Sequence, residues 1–463
     1  MPNTMPRPTG HGTKAAVSGG RWSRNLERNK TEYLDRLRCL HQKFGKPHYL
    51  CNLTHPDYTK SLLPNGITLV HKYIKATRLV HCGYVIDCGS RHDFPQQGMA
   101  HAIEHMVFKG TQRRKNWQII SYLENVGGEL NAYTTRDYTA IYTSLHKKYA
   151  SRALDLLTDI VFHSSIPAQE LEKEKKVILE EINMYLDSPE ESIADEFQEQ
   201  FFGKHSLAHN ILGTPEDVKA ISQQGMLDFY KHQYTTNNSV LAIVGNITLQ
   251  KATLLACALP VPMAEKAPKT KAQKFKPNTQ RVVKELPIHQ AHIMMGCVAP
   301  SLTSPQRWTL LLLNNILGGP ALNSRLSLAI REKHGLAYHI ESSYQMYMDC
   351  GFFNIYVGCD TENVEKCESL VMQELKKLAT KPMGAMQLTK AKNQLMGQAV
   401  IAEESYSSVM LHLGKSILRK GKALSFDEAM QRIQAITAED IQNLAKEIFK
   451  PEAFGILIYK AKK

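Results

Sequence analysis

The sequence predicts an α+β fold of two related domains, each a mostly antiparallel sheet with helices packed on one face, joined by a linker. Alternating apolar residues predict strands, including one through Val80, Cys82, Tyr84, Ile86 and Cys88. Residues 169–185 have strong helix propensity. Residues 218–245 align without a gap on residues 433–460, and each segment reads as a helix followed by an apolar strand. This alignment favours duplication over chance similarity.

Changes in composition set the predicted domain boundaries. Residues 1–57 are predicted to be a basic, partly disordered N-terminal extension. Residues 58–262 form the first domain, and residues 281–463 form the second, related domain. Residues 263–280 interleave prolines with lysines, which is typical of a linker.

Composition narrows the class of protein. The net charge is +13. Residues 1–60 hold eleven lysines and arginines against four acidic residues, so this segment carries more than half of the net positive charge. Nucleic-acid binding as the main function is therefore not expected. No apolar stretch has the roughly 18–20 residues that a spanning helix needs, so no membrane association is expected either. The nine cysteines include no C-x-x-C pair, which indicates reduced thiols.

The segment His101-Ala102-Ile103-Glu104-His105 carries the main functional signal. On a helix, His101 and His105 project from one face, and their spacing lets two ring nitrogens reach one zinc ion. Glu104 points to the same side, where it can take a proton from a zinc-bound water. Apolar neighbours predict a buried, rigid helix. The pattern therefore favours a catalytic zinc site with one zinc per chain; a chance match of five residues in a long chain with 19 histidines is the alternative.

The helix predicted over residues 169–185 supplies the third ligand. Glu174 and Glu181 are seven residues apart and share its apolar side, whereas Glu172 and Glu180 lie among lysines. A carboxylate on the apolar side of a helix indicates a ligand, and Glu181 is predicted to bind the metal. Two histidines and one glutamate leave an open fourth position, as in catalytic zinc sites. Water activated by Glu104 could then attack a peptide carbonyl.

The motif has the order of the inverted zincins. Together with segments 98–111 and 127–137 and the helix around Glu181, it resembles the insulysin, pitrilysin and mitochondrial processing peptidase family (M16) over nearly everything after residue 58. The resemblance implies a zinc metalloendopeptidase that hydrolyses unfolded peptides or oligopeptides. It also implies that Glu181 binds zinc and that Glu174 supports the site from behind.

The resemblance gives roles to residues outside the motif. Asn131 and Ala132 match an exposed strand edge where a substrate peptide pairs. Arg331 and Tyr338 match an Arg and Tyr pair that binds the substrate carbonyl and stabilises the tetrahedral intermediate. Glu191 and Asp195 match in spacing the acidic pair with which processing peptidases hold an arginine near the cleavage site; a solvated acidic helix face remains the alternative.

The resemblance also implies an assembly. In short family members the zinc motif and the Arg and Tyr pair meet across a subunit interface inside a clamshell, which predicts a homodimer or a heterodimer with a related subunit. Two alternatives stay open: a mitochondrial-type processing peptidase that removes basic presequences, and a non-catalytic scaffold subunit. The compartment is predicted to be a bacterial cytoplasm, with the mitochondrial matrix as the alternative.

Overall fold

The computed structural model describes residues 52–93, 96–262 and 275–462. Most of the predicted N-terminal extension and residues 263–274 of the predicted linker lie outside the described residues. Residues 275–280 have no regular secondary structure and lead into the strand that begins at Arg281.

The first sheet contains seven strands of the described chain in the order β1-β2-β3-β7-β4-β6-β5. Only the β3–β7 pair is parallel; the other neighbours are antiparallel. The strands are β1 (Asn52–Thr54), β2 (Thr59–Leu62), β3 (Thr68–Tyr73), β4 (Leu79–Ile86), β5 (Glu129–Thr134), β6 (Thr139–His146) and β7 (Ser239–Gly245).

The second sheet contains five described strands in the order β10-β11-β9-β12-β8. Here only β12 and β8 are parallel. The strands are β8 (Arg281–Leu286), β9 (Ala291–Ala299), β10 (Ala337–Met346), β11 (Gly351–Cys359) and β12 (Gly455–Ala461).

The two sheets repeat one topology. The order β3-β7-β4-β6-β5 in the first matches β8-β12-β9-β11-β10 in the second, and the parallel pair falls at the same place. Ser222 and Thr437, which the gapless alignment pairs, both cap the N-terminus of the helix before the last strand. The predicted fold class of two related α+β domains is therefore confirmed.

In both halves, helices lie between the second and third strands of the repeat and between the fourth and fifth. Those of the first half are α1 (Met99–Met106), α2 (Asn116–Glu124), α3 (Ala150–Phe162), α4 (Ala168–Leu186), α5 (Pro189–Phe202), α6 (Pro215–Ala220), α7 (Gln223–Gln233) and α8 (Leu249–Cys257). Those of the second half are α9 (Arg307–Gly318), α10 (Val364–Thr380), α11 (Ala385–Glu403), α12 (Tyr406–Lys420), α13 (Phe426–Gln434) and α14 (Ala438–Ile448). Among the described helices, none combines the length and apolar character that crossing a membrane requires.

Each half gives one helix to the other half's sheet. Helix α12 packs on β4 and β7 of the first sheet, and α5 packs on β9 and β12 of the second. These strands are equivalent in the repeat, so the exchange is reciprocal. The four large apolar residues that α12 buries against the first sheet would each contribute about 1.5–3 kcal/mol. They are Val409, Met410, Leu413 and Ile417.

The exchanged helix explains why β4 is buried on both faces. All its residues except Leu79 are buried, whereas a strand covered on one face would alternate. Helix α3 packs on one face of this strand and α12 on the other. The sequence prediction placed helices on one face, and the structure adds this second layer from the other half.

Buried arginines join the two halves. The Arg91 guanidinium donates to Asp137 (Nη1–Oδ1 3.1 Å) and to Asp349 in the second half (Nη2–Oδ2 2.6 Å). Arg419 of α12 pairs with Asp87 (Nη1–Oδ1 2.6 Å) and with Asp137 (Nη2–Oδ2 3.0 Å). Removing one partner would leave a buried charge uncompensated, at a cost of about 3–5 kcal/mol. This network fixes how α12 and the β10–β11 turn sit on the first sheet.

Gly414, in the middle of α12, sets the close approach of that helix to the first sheet. A Cβ atom there would lie 2.7 Å from Val85 Cγ2 and 3.3 Å from Ala242 Cβ. We expect Gly414→Ala to lower the free energy of unfolding by about 1–2 kcal/mol, since overpacking outweighs the gain in helix propensity. Urea denaturation measures the change.

Gly397, in the middle of α11, is the matched control, because a Cβ there meets nothing within 4 Å. Gly397→Ala should raise the free energy of unfolding by about 0.5–1 kcal/mol through propensity alone. Equal stabilisation by both substitutions would contradict the packing described for α12.

Candidate metal centre

Helix α1, which carries the histidine motif, begins at a tightly constrained turn. Gly98 precedes it with a φ of +75°, and a Cβ at this position would lie 2.5 Å from the carbonyl oxygen of Leu212. Only glycine meets both demands without strain. The buried Asp93 carboxylate accepts a hydrogen bond from the N–H of Ala100 (2.9 Å), which satisfies one free donor of the first turn. Burial raises the pKa of Asp93 well above its usual range.

The structure brings His101, His105 and Glu181 together. Potential ligand atoms of these three residues lie within 4.8 Å of one another. Glu181 Oε2 is 3.6 Å from His101 Nε2 and 3.5 Å from His105 Nε2. The two histidines come from successive turns of α1, and Glu181 comes from α4, which packs beside it.

The donor set fits zinc. The nitrogen–oxygen separations of 3.5 and 3.6 Å are longer than a normal hydrogen bond. They are close to the roughly 3.3–3.4 Å that separates two ligand atoms on a tetrahedral zinc ion with bonds of about 2.0–2.1 Å. Two imidazoles and one carboxylate are typical ligands of catalytic zinc. The residues present therefore suit the metal that the motif predicts.

Glu174 orients the His105 imidazole by contacting Nδ1, the ring nitrogen that does not face Glu181. Its Oε2 lies 3.1 Å from His105 Nδ1, and its Oε1 accepts from Lys109 Nζ at 2.7 Å. The Glu174 residue is only 6% exposed. A carboxylate at Nδ1 keeps the proton on that nitrogen and leaves the Nε2 lone pair for a metal. Lys109 offsets the cost of burying this charge.

The environment also sets the pKa values of the cluster. Burial, followed by the neighbouring His105, lowers the pKa of His101 to about 4, so its ring is neutral near pH 7. Burial alone would lower the pKa of His105, but contacts with Glu181 and Glu174 outweigh it and raise that pKa. The contact with His105 in turn lowers the pKa of the Glu181 carboxyl. A neutral imidazole and an ionised carboxylate are the forms that bind a metal.

Glu104 is held beside the cluster by strand β5. The hydroxyl of Thr134 donates to Glu104 Oε2 at 2.5 Å, and the Thr134 and Thr139 hydroxyls lie 3.1 Å apart. Burial raises the pKa of Glu104, while the hydrogen bond from Thr134 opposes the rise. A carboxylate with a raised pKa is a stronger base than one in free solution.

Asn131 and Ala132 lie on β5, the edge strand of the first sheet. Their inner neighbours are Tyr142 and Ile141 of β6. The Asn131 side chain accepts a hydrogen bond from the N–H of Ala132 (2.8 Å), so one backbone donor of this edge is already paired.

The remaining predicted residues lie outside the cluster. Arg331 pairs with its neighbour Glu332 (Nη2–Oε1 2.9 Å). Tyr338 is the extra residue of a bulge in β10; it is half exposed, and its ring lies over Gly358. In the described chain, neither side chain hydrogen-bonds or forms an ion pair with the three cluster residues.

The predicted acidic pair lies on α5, and its two members differ in environment. Glu191 is exposed in the first turn and forms no ion pair with any described residue. Asp195 accepts from Arg136 (Nη2–Oδ1 2.8 Å) and from Asn210 (3.2 Å). An incoming arginine would have to compete with Arg136 for the Asp195 carboxylate.

Sequence reasoning missed three contributors to the site: Asp93, Lys109 and Thr134. Lys109 stands four residues after His105 on the turn that continues α1, and this spacing could have indicated it. Thr134 lies inside the segment whose Asn131 and Ala132 were singled out. No local pattern marks Asp93, whose role depends on how the chain turns into α1.

Comparison with known proteins extends these observations. The family model described as "Insulinase (Peptidase family M16)" matches residues 69–215, and "Peptidase M16 inactive domain" matches residues 220–395. An uncharacterized zinc protease of Bacillus subtilis is 32% identical over 83% of this chain and 94% of its own. A mitochondrial-processing peptidase subunit beta of Blastocladiella emersonii is 29% identical over 89% of this chain and 90% of its own.

Solved structures are similar in fold. A protease from Helicobacter pylori has a TM-score of 0.81, with 21% identity over 88% of this chain and 100% of the other. A peptidase M16 inactive domain from Pseudomonas fluorescens has the same TM-score and identity, over 88% of this chain and 98% of the other.

The contact between Glu174 and His105 predicts an effect on metal affinity. Glu174→Gln should weaken zinc binding by about 10–100-fold, because the amide supports the His105 tautomer less well. Competition with a chromophoric chelator measures the affinity. Glu180→Gln is the matched control on the same helix, since Glu180 is exposed; equal losses from both variants would contradict the role of Glu174.

Proposed function

The chain belongs to peptidase family M16, and we propose that it is a zinc metalloendopeptidase that hydrolyses unfolded peptides or oligopeptides. His101, His105 and Glu181 would hold one zinc ion per chain. The observation that carries this proposal is the position of Glu104. It shares a helix with two of the ligands, and Thr134 holds it beside them without another carboxylate or cation pairing with it in the described residues.

Bound zinc would supply Lewis acidity to a peptide carbonyl and lower the pKa of water. The chain's own residues transfer the protons and position the reacting groups. Glu104 accepts a proton from the attacking water at a carboxylate oxygen and returns it to the leaving amide nitrogen. Thr134 limits the rotation of that carboxylate through the 2.5 Å hydrogen bond to Oε2. Glu174 holds the proton of His105 at Nδ1.

The peptide would bind as an added strand on the β5 edge. Main-chain hydrogen bonds to Asn131 and Ala132 give affinity without a demand for particular side chains. Because the Asn131 side chain already accepts from the N–H of Ala132, it must swing away before a substrate carbonyl can take its place. An extended backbone is required for such pairing, and this requirement restricts substrates to unfolded segments.

Arg331 and Tyr338 are proposed to act on the substrate bound by a second subunit. Among the described residues, neither side chain forms a hydrogen bond or ion pair with the cluster, which agrees with a site completed across an interface. The partner is either a second copy or a related subunit. The Blastocladiella emersonii relative is named as one subunit of a processing peptidase.

A processing peptidase that removes basic presequences is the second candidate, and the same relative is the observation that favours it. That candidate belongs to the mitochondrial matrix, whereas the bacterial relatives favour a bacterial cytoplasm. Cleavage-site profiling on a peptide library separates the two candidates. A strict requirement for arginine near the cleaved bond would support presequence processing.

The central test is Glu104→Gln. The variant should bind zinc as the wild type does but lose at least about 10³-fold in kcat on an unstructured fluorogenic peptide, because the amide cannot accept the proton. Metal content by mass spectrometry and peptide turnover are the measurements. Glu180→Gln should retain both properties, and full activity of the Glu104→Gln protein would refute the proposal.

Mixing two inactive variants tests the shared site. Glu104→Gln and Arg331→Ala homodimers should both be inactive. After unfolding and refolding of an equal mixture, random pairing should recover about a quarter of wild-type activity, because half the dimers would contain one intact site of two. No recovery, although native mass spectrometry shows mixed dimers, would indicate that each chain completes its own site.

A further inference from the structure

A large cavity lies between the two halves, close to the proposed catalytic residues. Its volume is about 1060 Å³. Residues 135–138, which turn from β5 into β6, form one wall, and α12 with the residues that follow it forms another. Helices α9, α11 and α13 and strand β10 of the second half line most of the remainder.

Basic residues dominate the charge of the cavity. The acidic residues that line it are Asp57, Asp137 and Glu403. The basic residues that line it are Lys72, Arg136, Arg307, Lys415, Arg419, Lys420 and Lys422. Three of these already pair with carboxylates: Lys72 with Glu403, Arg136 with Asp195, and Arg419 with Asp87 and Asp137.

The other four cations have no carboxylate partner among the described residues: Arg307, Lys415, Lys420 and Lys422. Arg307 donates to the carbonyl oxygens of Leu302 and Ser304 instead. Burial, followed by the charges of Arg307 and Lys415, lowers the pKa of Lys420 to about 8. The charges of Arg307 and Lys415 therefore act on Lys420 and are not neutralised by a carboxylate among the described residues.

The positions of these cations are not explained by helix stability alone. Lys420 ends α12, where a positive charge interacts favourably with the helix dipole. Arg307, however, begins α9, and a cation at a helix N-terminus is unfavourable. Lys415 lies inside α12, with its ammonium 5.8 Å from the ring centroid of Tyr138. An anionic ligand would relieve the repulsion among these groups.

The walls also suit a peptide. Aromatic side chains lie among the basic groups, including Tyr138, Trp308 and Tyr344. The Arg307 guanidinium is 5.0 Å from the ring centroid of Trp308. Apolar residues of α11 and β10, among them Leu395 and Met346, complete the lining. The cavity can therefore contact an apolar side chain next to an acidic one.

The chain connects this cavity directly to the proposed general base. Thr134 holds Glu104, and the next residue, Thr135, already lines the cavity. Consecutive Cα atoms are about 3.8 Å apart, so one peptide could reach both places. A substrate paired with β5 and continuing past Thr134 would enter the cavity at the β5–β6 turn.

We propose that this cavity is a substrate-binding site for carboxylate groups, which selects peptides with acidic residues beyond the segment that pairs with β5. The proposal rests on the peptidase function proposed above. The carboxylate could belong to Asp or Glu side chains or to the C-terminus of the peptide. A site of this charge disfavours the basic presequences that a processing peptidase would bind.

Four peptides of one unstructured sequence test the proposal. They carry either three Glu or three Gln residues beyond the cleaved bond, and either a free or an amidated C-terminus. For wild type, kcat/KM should be about tenfold higher with a carboxylate than without it, as expected for two partly screened ion pairs. If kcat/KM falls when Glu is replaced by Gln in the peptide, the site binds side-chain carboxylates. If kcat/KM falls only when the C-terminus is amidated, the site binds the C-terminal carboxylate.

The variant K415Q/K420Q removes two of the unpaired cations. It should bring the preference for the acidic peptide to within about twofold, through KM rather than kcat. The control K231Q/K376Q removes two exposed lysines on α7 and α10, outside the cavity lining, and should keep the preference. The proposal would be overturned if wild type had the same kcat/KM for all four peptides. It would also be overturned if both double variants lost the preference for the acidic peptide to the same extent.

Binding measurements separate this proposal from the proposed function. Fluorescence anisotropy of labelled peptides on the Glu104→Gln protein gives Kd without turnover. Tighter binding of the acidic peptide, weakened by salt and by K415Q/K420Q, supports the carboxylate site even when wild type cleaves none of the peptides. Cleavage of all peptides with no charge preference in kcat/KM or Kd refutes the carboxylate site and leaves the peptidase function standing.

Discussion

The carboxylate of Asp137 is the point on which the arrangement of this protein depends. It accepts a hydrogen bond from Arg91, which follows β4, and pairs with Arg419 on α12 of the second half. Asp137 belongs to the short turn from β5 to β6. Thr134, which holds Glu104, is the last residue of β5, directly before this turn, and the turn itself forms one wall of the cavity. One buried ion network thus links the contact between the halves, the strand end that holds Glu104, the proposed general base, and the wall of the cavity.

The sequence was sufficient to group the residues of the α1 motif and to suggest Glu181 on α4, but it did not indicate residues whose contacts depend on how distant elements pack together. Spacing within α1 is set by the helix itself, so His101, Glu104 and His105 could be grouped from their positions. For Glu181, an apolar helix face was enough to predict a position facing the motif. The contact of Thr134 with Glu104 spans thirty residues and depends on where β5 lies. Likewise, an apolar helix face such as that of α12 does not indicate which sheet covers it, and here the cover is the sheet of the opposite half.

The repeated topology shows how the two halves have diverged. Helix α9 takes the place in the second half that α1 takes in the first, between equivalent strands. Where α1 carries two histidines and a glutamate, α9 buries leucines, including Leu310, Leu312 and Leu313. Burying polar ligands is costly, so a copy without a site gains stability by replacing them. The second half presents polar groups elsewhere, on the bulged strand of Tyr338 and along the cavity.

The reciprocal exchange of α5 and α12 has a consequence for folding during synthesis. The strands of the first sheet are complete once residue 245 has been made, but α12, which covers one of its faces, ends at residue 420. At about 5–20 residues per second, the ribosome needs roughly 9–35 s to add the missing segment. During that time the apolar side chains of Val70, Val240 and Val244 lack their cover. The nascent first half therefore exposes this apolar surface until α12 has been made, and the first sheet reaches its native packing only when both halves are present.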